Sequence, residues 1–334
     1  MHGQPTVLEE PLQHLRATID RGEHAHAESG LRAYLQQHPD DIAALDMLGD
    51  LLALLHRDLE AAEFICRAFL LKPETASNPK MRGLACYVLG RKDEAIAIYR
   101  DWLAREPDNP VARHMLAACS GDGVPTRATS EYVSHIFDEY APVFDQRLRG
   151  LGYCIPEHMR DILAARAAPD AQWDILDGGC GTGLLGPLIR PWCRTLTGVD
   201  LSEGMLDHAE KYDCYDTLHC EDLERFLADR PEQFDIICIA DTLIYFGDLR
   251  AVLHEAFTAL HPGGTLMFNT ERCPQAPNGY LLEVNGRFKH ASDYVRSTLA
   301  ETGFTDLAAT DISIRSELGV PVSGELICAI KPAL

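Results

Sequence analysis

The chain has 334 residues, 46% of them hydrophobic, which at ~150 residues per domain suffices for two domains with cores of their own. Its 30 Lys and Arg stand against 51 Asp and Glu, a formal charge of -21, so nucleic acids and anionic membrane surfaces are poor partners, because phosphate binding is driven by Lys and Arg. No apolar run approaches the ~20 residues of a membrane span, and no basic start followed by an apolar run marks a secretory leader. The 11 cysteines fall at irregular spacings without a CxxC pair, and read as reduced thiols of a cytoplasmic protein, with no metal site.

The first third is periodic. Prolines recur at Pro39, Pro73 and Pro107, 34 residues apart. Ala27, Ala61 and Ala95 keep that interval, as do Gly49 and Gly83. So do two further series, Leu31, Ile65 and Tyr99, and Tyr34, Ala68 and Trp102. Such a period describes a helix–turn–helix unit, in which the small residue lets two helices approach, the bulky ones fill the groove and the proline ends the second helix. Leu15 stands in the first unit where the next two have glycine, and His56 takes the turn position held elsewhere by Gly22 and Gly90. The stretch resembles the tetratricopeptide repeat family over about residues 8–120, with three units and a closing helix near Val111–Cys119. That resemblance implies a surface for a peptide or protein partner. Self-association through the repeats and coverage of an active site stay open as alternatives.

Two glycines and a proline within Ser120–Pro125 break the period and put a domain boundary there, with an all-α domain over 1–120 and a second domain over 121–334. Strands are expected at Trp173–Leu176, Thr195–Val199, Thr217–Cys220, Ile236–Ala240, Thr265–Asn269, Asp306–Ile314 and Glu325–Ile330. Helices are expected between them, among others at Leu184–Pro191, Ser202–Lys211 and Leu249–Leu260. This alternation argues for a doubly wound, mostly parallel α/β sheet. Glu317–Gly324 is too short for a helical crossover, so the last two strands should pair antiparallel.

The chemistry follows the first strand, in DILDGGCGTGLLGPLI. Gly179, Gly181 and Gly183 alternate behind Asp177, and Asp200 ends the second strand, placed to accept both hydroxyls of an unmodified ribose. Gly181, Gly183 and Gly186 also satisfy GxGxxG, and Asp200 suits the ribose of NAD equally well. Against a dinucleotide, Asp177 precedes the first glycine, where a carboxylate repels a pyrophosphate but suits a cationic group. The antiparallel close of the sheet is the second discriminator.

Residues 130–330 resemble the class I S-adenosylmethionine-dependent methyltransferases. The segments are Asp177–Gly183 (DxGxGxG), Gly198–Leu206 (GVDLSEGML), Cys220–Phe226 (CEDLERF), Phe234–Leu249 and His261–Glu271 (HPGGTLMFNTE). With repeats in front, the whole chain looks like the bacterial group of methyltransferases that carry tetratricopeptide repeats. The resemblance implies a Rossmann-like seven-stranded methyltransferase fold with its last strand antiparallel, and S-adenosylmethionine as cofactor, released as S-adenosylhomocysteine. Position by position, it implies that Asp177 and the Gly179–Gly183 backbone hold the methionine end and Asp200 the ribose. Leu201 and Met205 would flank the adenine, Asp222 would accept its amine, Leu223 would offer an amide, and Ala240 would line the sulfonium. Leu201 and Met205 fit a plain helix core as well, and Asp200 a helix cap beside Ser202.

The loop Ala240–Tyr245 lacks the Asn/Asp-Pro-Pro-Tyr/Phe arrangement of some nucleic-acid and amide nitrogen methyltransferases, which points to a small-molecule or peptide-like acceptor. Candidate acid–base groups are His290 and Asp241 with Tyr245, since a histidine near its pKa can take a proton. His290 reads also as a polar contact or cap beside the helix starting near Ser292, and Asp241 as a holder of a cationic acceptor or a contact to the cofactor. The aromatics of Ser130–Tyr153 fall on one helical face, either packed on the sheet or, with Tyr140 and Phe144, forming a cofactor lid over 130–153. Tyr280 and Arg287 lie in the insert after the fifth strand, a usual place for acceptor contacts in this fold. The expected function is methyl transfer. An NAD-dependent oxidoreductase and a non-catalytic repeat scaffold that binds the cofactor are the alternatives.

Overall fold

The computed structural model describes residues 10–55, 57–72, 78–141, 144–170, 172–317 and 320–333. Pro73 and His56 of the repeat series lie outside them. The chain divides into two compact units with the boundary between Ser120 and Gly121.

The first unit is all helix: α1 (Glu10–Asp20), α2 (His24–Gln37), α3 (Ile42–Leu54), α4 (Asp58–Leu71), α5 (Pro79–Val88), α6 (Lys92–Arg105) and α7 (Pro110–Ser120). Its helix starts are written locally. The Asp41 side chain accepts from the Ala44 amide at 3.0 Å to begin α3, and Asn78 caps α5 ahead of Pro79. Gly83 of α5 faces the ring of Tyr99 on α6 so closely that a Cβ would collide with it. In the first helix pair the partners are exchanged, since Leu15 occupies the glycine position and Gly30 on the opposite helix yields to it.

Gly83→Val is therefore expected to destabilise the helical unit. Leaving glycine gains up to ~1 kcal/mol of helix propensity, but overpacking costs ~1–3 kcal/mol. Tyr99 is fully buried and its hydroxyl donates to the Lys80 carbonyl at 2.9 Å, so it has no room to retreat. Urea unfolding followed by circular dichroism checks this, and an unchanged midpoint would mean that Tyr99 moves aside freely.

The second unit opens with α8 (Ser130–Tyr140), α9 (Phe144–Gly150) and α10 (Ile155–Arg166). It continues as β1 (Trp173–Gly178), α11 (Gly186–Ile189), β2 (Cys193–Asp200), α12 (Glu203–Ala209), β3 (Thr217–Cys220), α13 (Leu223–Ala228), β4 (Phe234–Ile239) and α14 (Arg250–Ala259). Then come β5 (Leu260–Arg272), β6 (Tyr280–Leu282), β7 (Phe288–His290), α15 (Ser292–Thr302), β8 (Thr305–Glu317) and β9 (Val320–Ile330). Strands β3-β2-β1-β4-β5 lie side by side and parallel. β9 runs antiparallel along the far edge of β5 and also pairs with β8.

Successive side chains of each strand serve opposite faces. Leu176, Ile237, Leu266 and Phe268 bury against α13, α14 and α15, while Ile175, Ile236, Cys238 and Met267 bury against α10 and α11. Strand order reverses at β1, whose neighbours are β2 and β4, and a crevice for ligands opens at the carboxyl ends of strands at such a reversal.

The sheet has nine strands, two more than the seven expected. The extra pair is the hairpin β6–β7, which joins β5 at Glu271–Arg272 on the edge that β4 has just vacated. Three-residue strands carry no readable alternation. Their signal is the turn dipeptide Asn285–Gly286 between them, with Gly286 at φ 86°. The helix expected over Leu184–Pro191 is shortened to Gly186–Ile189.

Candidate cofactor and acceptor site

The loop after β1 bends back under the end of β2. The amides of Gly179 and Cys180 both donate to the Val199 carbonyl, at 2.7 and 3.0 Å. Gly179, Gly181 and Gly183 have φ of 74°, 54° and 87°. At Gly181 the space a Cβ would enter is open, so this left-handed turn presents bare backbone to the crevice. Asp200 is tied to that turn, one carboxylate oxygen accepting from the Gly181 amide and the other from the Ser202 amide, each at 2.9 Å. Burial and the nearby Asp138 raise its pKa, and the backbone amides oppose the rise. A fixed carboxylate with lone pairs to spare beside open backbone fits a ribose diol.

Around it, Met205 is fully buried and its amide donates to Ser202 Oγ, while Leu201 and Ala240 are half-buried. Asp222 caps α13 and is already engaged, by Arg127 at 3.1 Å and by Ser130 Oγ at 3.3 Å. Leu223 is the first residue of α13, where helix geometry leaves the N–H outside the intrahelical ladder. The segment 127–150 thus reaches the loop repeatedly. Ser202 Oγ donates to Asp138 and Thr182 Oγ1 to Asp145, both at 2.5 Å, and Phe137 meets Phe144 and Tyr245 edge-on. The side chain of Tyr140 lies outside the described residues.

Asp177 sits beneath the loop, fully buried, accepting from the Tyr215 hydroxyl at 2.7 Å. Tyr215 escaped the sequence reading. It fills the room left by Gly183, Gly186 and Gly198, and only those glycines, all preceding it in sequence, could have announced it. Burial pushes the Asp177 carboxyl up to about 7, outweighing the Tyr215 hydrogen bond. A folded-state value above the unfolded ~3.9 means that the native protein holds this proton more tightly. Its contribution to stability is complete below about pH 4 and is lost as pH rises through about 7. The urea midpoint of the wild type should therefore fall between pH 5 and pH 8 more steeply than that of Asp177→Asn. Parallel slopes would mean that Asp177 is already ionised at pH 5.

The acceptor end departs most from expectation. Asp241, in the left-handed region at φ 52°, is held by Arg315 Nη1 at 2.7 Å and by the Asn269 side-chain amide at 3.1 Å. Tyr245 lies near Arg287 and Asp241, and burial pushes its hydroxyl up to about 12, so it stays protonated and can only serve as a donor or a wall. His290 is 1% exposed and packs against the rings of Tyr280 and Tyr294. Its Nε2 lies 3.2 Å from the Gly247 carbonyl, and burial pushes its pKa down to about 4. His290, a candidate base, is buried at the hairpin with its Nδ1 lacking a hydrogen-bond partner among the described residues, and its lowered pKa makes it a weak proton acceptor. Tyr280 packs there too, over Gly247 and edge-on to Phe288.

Arg287, expected to touch the acceptor, instead pairs with Glu271 at 2.9 Å and Glu317 at 2.5 Å. Arg315 completes a cluster that sequence reasoning missed. It is 4% exposed, with Nε on Glu317, Nη1 on Asp241 and Nη2 on Glu271. Tyr153 lies near Asp241, Arg315 and Asp177, which all act on its buried hydroxyl. Among the described residues no group of side chains could hold a metal ion, and no helix is long and apolar enough to cross a membrane.

Residues 176–268 match the family model of a methyltransferase domain, and residues 80–119 that of a tetratricopeptide repeat. The second unit thus contains a stretch of methyltransferase-domain type, and the helical unit before it one of tetratricopeptide-repeat type. The chain is 34% identical over 100 residues to the ubiquinone biosynthesis O-methyltransferase of Coxiella burnetii, a match covering 29% of this chain and 42% of that one. It is 34% identical over 124 residues to the malonyl-[acyl-carrier protein] O-methyltransferase of Priestia megaterium, covering 35% and 42%. It thus spans less than half the length of these curated relatives. Among solved structures it resembles the [4+2]-cyclase SpnF, with a TM-score of 0.51 at 18% identity, covering 64% of this chain and 99% of that one. That last likeness shows the fold alone.

Proposed function

We propose that the protein transfers a methyl group from S-adenosylmethionine to an oxygen of a small-molecule or peptide-like acceptor. The observation that carries this is the carboxylate of Asp200, pinned by the Gly181 and Ser202 amides beside open backbone. When bound, the cofactor supplies an electrophilic methyl on a sulfonium. Asp200 accepts from its ribose, the turn through Gly179, Gly181 and Gly183 lies along its methionine end, and Ala240 walls the reacting centre. Leu201 and Met205 flank the adenine, whose amine shares Asp222 with Arg127 at the first turn of α13 beside Leu223.

Residues 130–153 act as a lid, with Phe144 over the site, excluding water and holding the reactants in line. Such alignment can be worth effective molarities of ~10⁵–10⁸ M. Oxygen as the accepting atom follows the two relatives, whose names both specify O-methyl transfer. The repeats bind the acceptor, a protein partner or a second copy of the chain.

Calorimetric titration of S-adenosylhomocysteine and, separately, NADH tests the reading. Binding of the first alone supports it, and binding of NADH instead overturns it in favour of hydride chemistry.

A further inference from the structure

At the carboxyl ends of β4 and β5, next to the loop that receives the cofactor, three carboxylates meet two guanidiniums: Asp241, Glu271 and Glu317 with Arg287 and Arg315. Thr242, beside Asp241, fills the space against Gly179 and so fixes this cluster next to the glycine loop. Both guanidiniums bind the same oxygen of Glu271, its Oε1. Its Oε2 is buried with no hydrogen-bond partner, on a residue 1% exposed. A buried carboxylate oxygen left unpaired is costly and calls for a donor. Among the described residues none donates to it, although Arg287 and Arg315 are both at hand.

We propose that Glu271 Oε2 is the receptor for the acceptor's own hydroxyl, and that the acceptor is a neutral alcohol or phenol and not a carboxylic acid. This rests on the methyltransferase reading above. The charge count favours it. The cluster carries one negative charge in excess, which one sulfonium balances. A neutral hydroxyl preserves that balance, whereas a carboxylate would leave one negative charge uncompensated, and the guanidinium groups that might receive it are already committed to Asp241, Glu271 and Glu317. In the transfer, the acceptor oxygen bonds to the methyl carbon as the carbon–sulfur bond breaks. The electron pair stays on sulfur, which becomes a neutral thioether, and the hydroxyl proton passes to Glu271 Oε2. Sulfonium and carboxylate are both neutralised, a change favoured in a water-poor site.

The probes are 4-nitrophenol and 4-nitrobenzoate, added to the full chain with S-adenosylhomocysteine present and absent, at a pH near the phenol's own pKa. The nitrophenolate absorbance reports which form is bound. The wild type should take up 4-nitrophenol as the neutral phenol, with loss of the phenolate band, and bind 4-nitrobenzoate at least tenfold more weakly. Glu271→Gln should abolish the spectral change. Glu271→Asp keeps the charge facing Arg287 and Arg315 while withdrawing the oxygen, so it guards against a folding defect, and it too should lose the change. Equal or tighter binding of 4-nitrobenzoate overturns the proposal. So does failure of the wild type to shift 4-nitrophenol, or an undiminished shift in both folded variants. Binding of S-adenosylhomocysteine by the same samples separates the two levels: its absence from the wild type sinks the methyltransferase reading, and its presence without discrimination sinks only the role of Glu271.

Discussion

Asp200→Ala is expected to weaken binding of S-adenosylhomocysteine by about 10²–10⁴-fold in calorimetric titration. Each charge-assisted hydrogen bond contributes ~1.5–3 kcal/mol, and the substitution removes the acceptor of two ribose hydroxyls, hence ~3–6 kcal/mol at 1.4 kcal/mol per factor of ten. It also frees the Gly181 and Ser202 amides that the carboxylate holds, so the loop loses its tether to β2. Relief of a buried charge works the other way for the empty protein, since the pKa of Asp200 is already raised by burial. The folded state should therefore lose little stability while affinity collapses. A loss below tenfold, with the urea midpoint unchanged, would place the ribose elsewhere.

Arg315→Met should act on stability instead. Methionine fills much of the volume but leaves Asp241, Glu271 and Glu317 facing Arg287 alone within the cluster. Removing one partner of a buried ion cluster costs ~3–5 kcal/mol, because the charges left behind stay desolvated. The pH dependence has a definite sign. In the wild type Arg287 and Arg315 hold the Glu317 carboxyl below its ordinary value against the opposing effect of burial. Without Arg315 the unpaired carboxylates take up protons more readily in the folded state than in the unfolded one, and the variant then loses stability as pH rises. The deficit in urea unfolding should be larger at pH 8 than at pH 5. A deficit under ~1 kcal/mol at pH 8, the range of exposed ion pairs, would mean that water reaches the cluster.

The geometry of the glycine loop and of Asp200 was legible in the sequence because its determinants are local. Asp177, the three glycines and Asp200 each sit at the end of a strand, where a single loop fixes their geometry, and strand ends can be read from apolar runs. The repeats were legible for the same reason, since one interval recurs whatever the tertiary setting. The charged cluster was not. Its five members come from four different places, after β4, on β5, in the β6–β7 turn and twice on β8, and only strand register unites them. Glu271 lies between Lys289 of β7 and Gly324 of β9, a juxtaposition that no spacing in the chain announces. His290 misled for a related reason. A histidine after the fifth strand suits a base, and its burial follows from a hairpin too short to show a pattern. Arg287 and Arg315 read as ordinary cations until the fold set carboxylates against them.

The hairpin β6–β7 occupies the edge of β5 beyond the end of β4. Everything assigned to the cofactor precedes Asp241 in the chain, and every member of the charged cluster is Asp241 or follows it. The two proposed recognition tasks are thus segregated along the polypeptide although they adjoin in space. Exchange of the stretch after residue 240 between homologous domains would transplant acceptor preference as one contiguous cassette, leaving the nucleoside grip of the recipient intact.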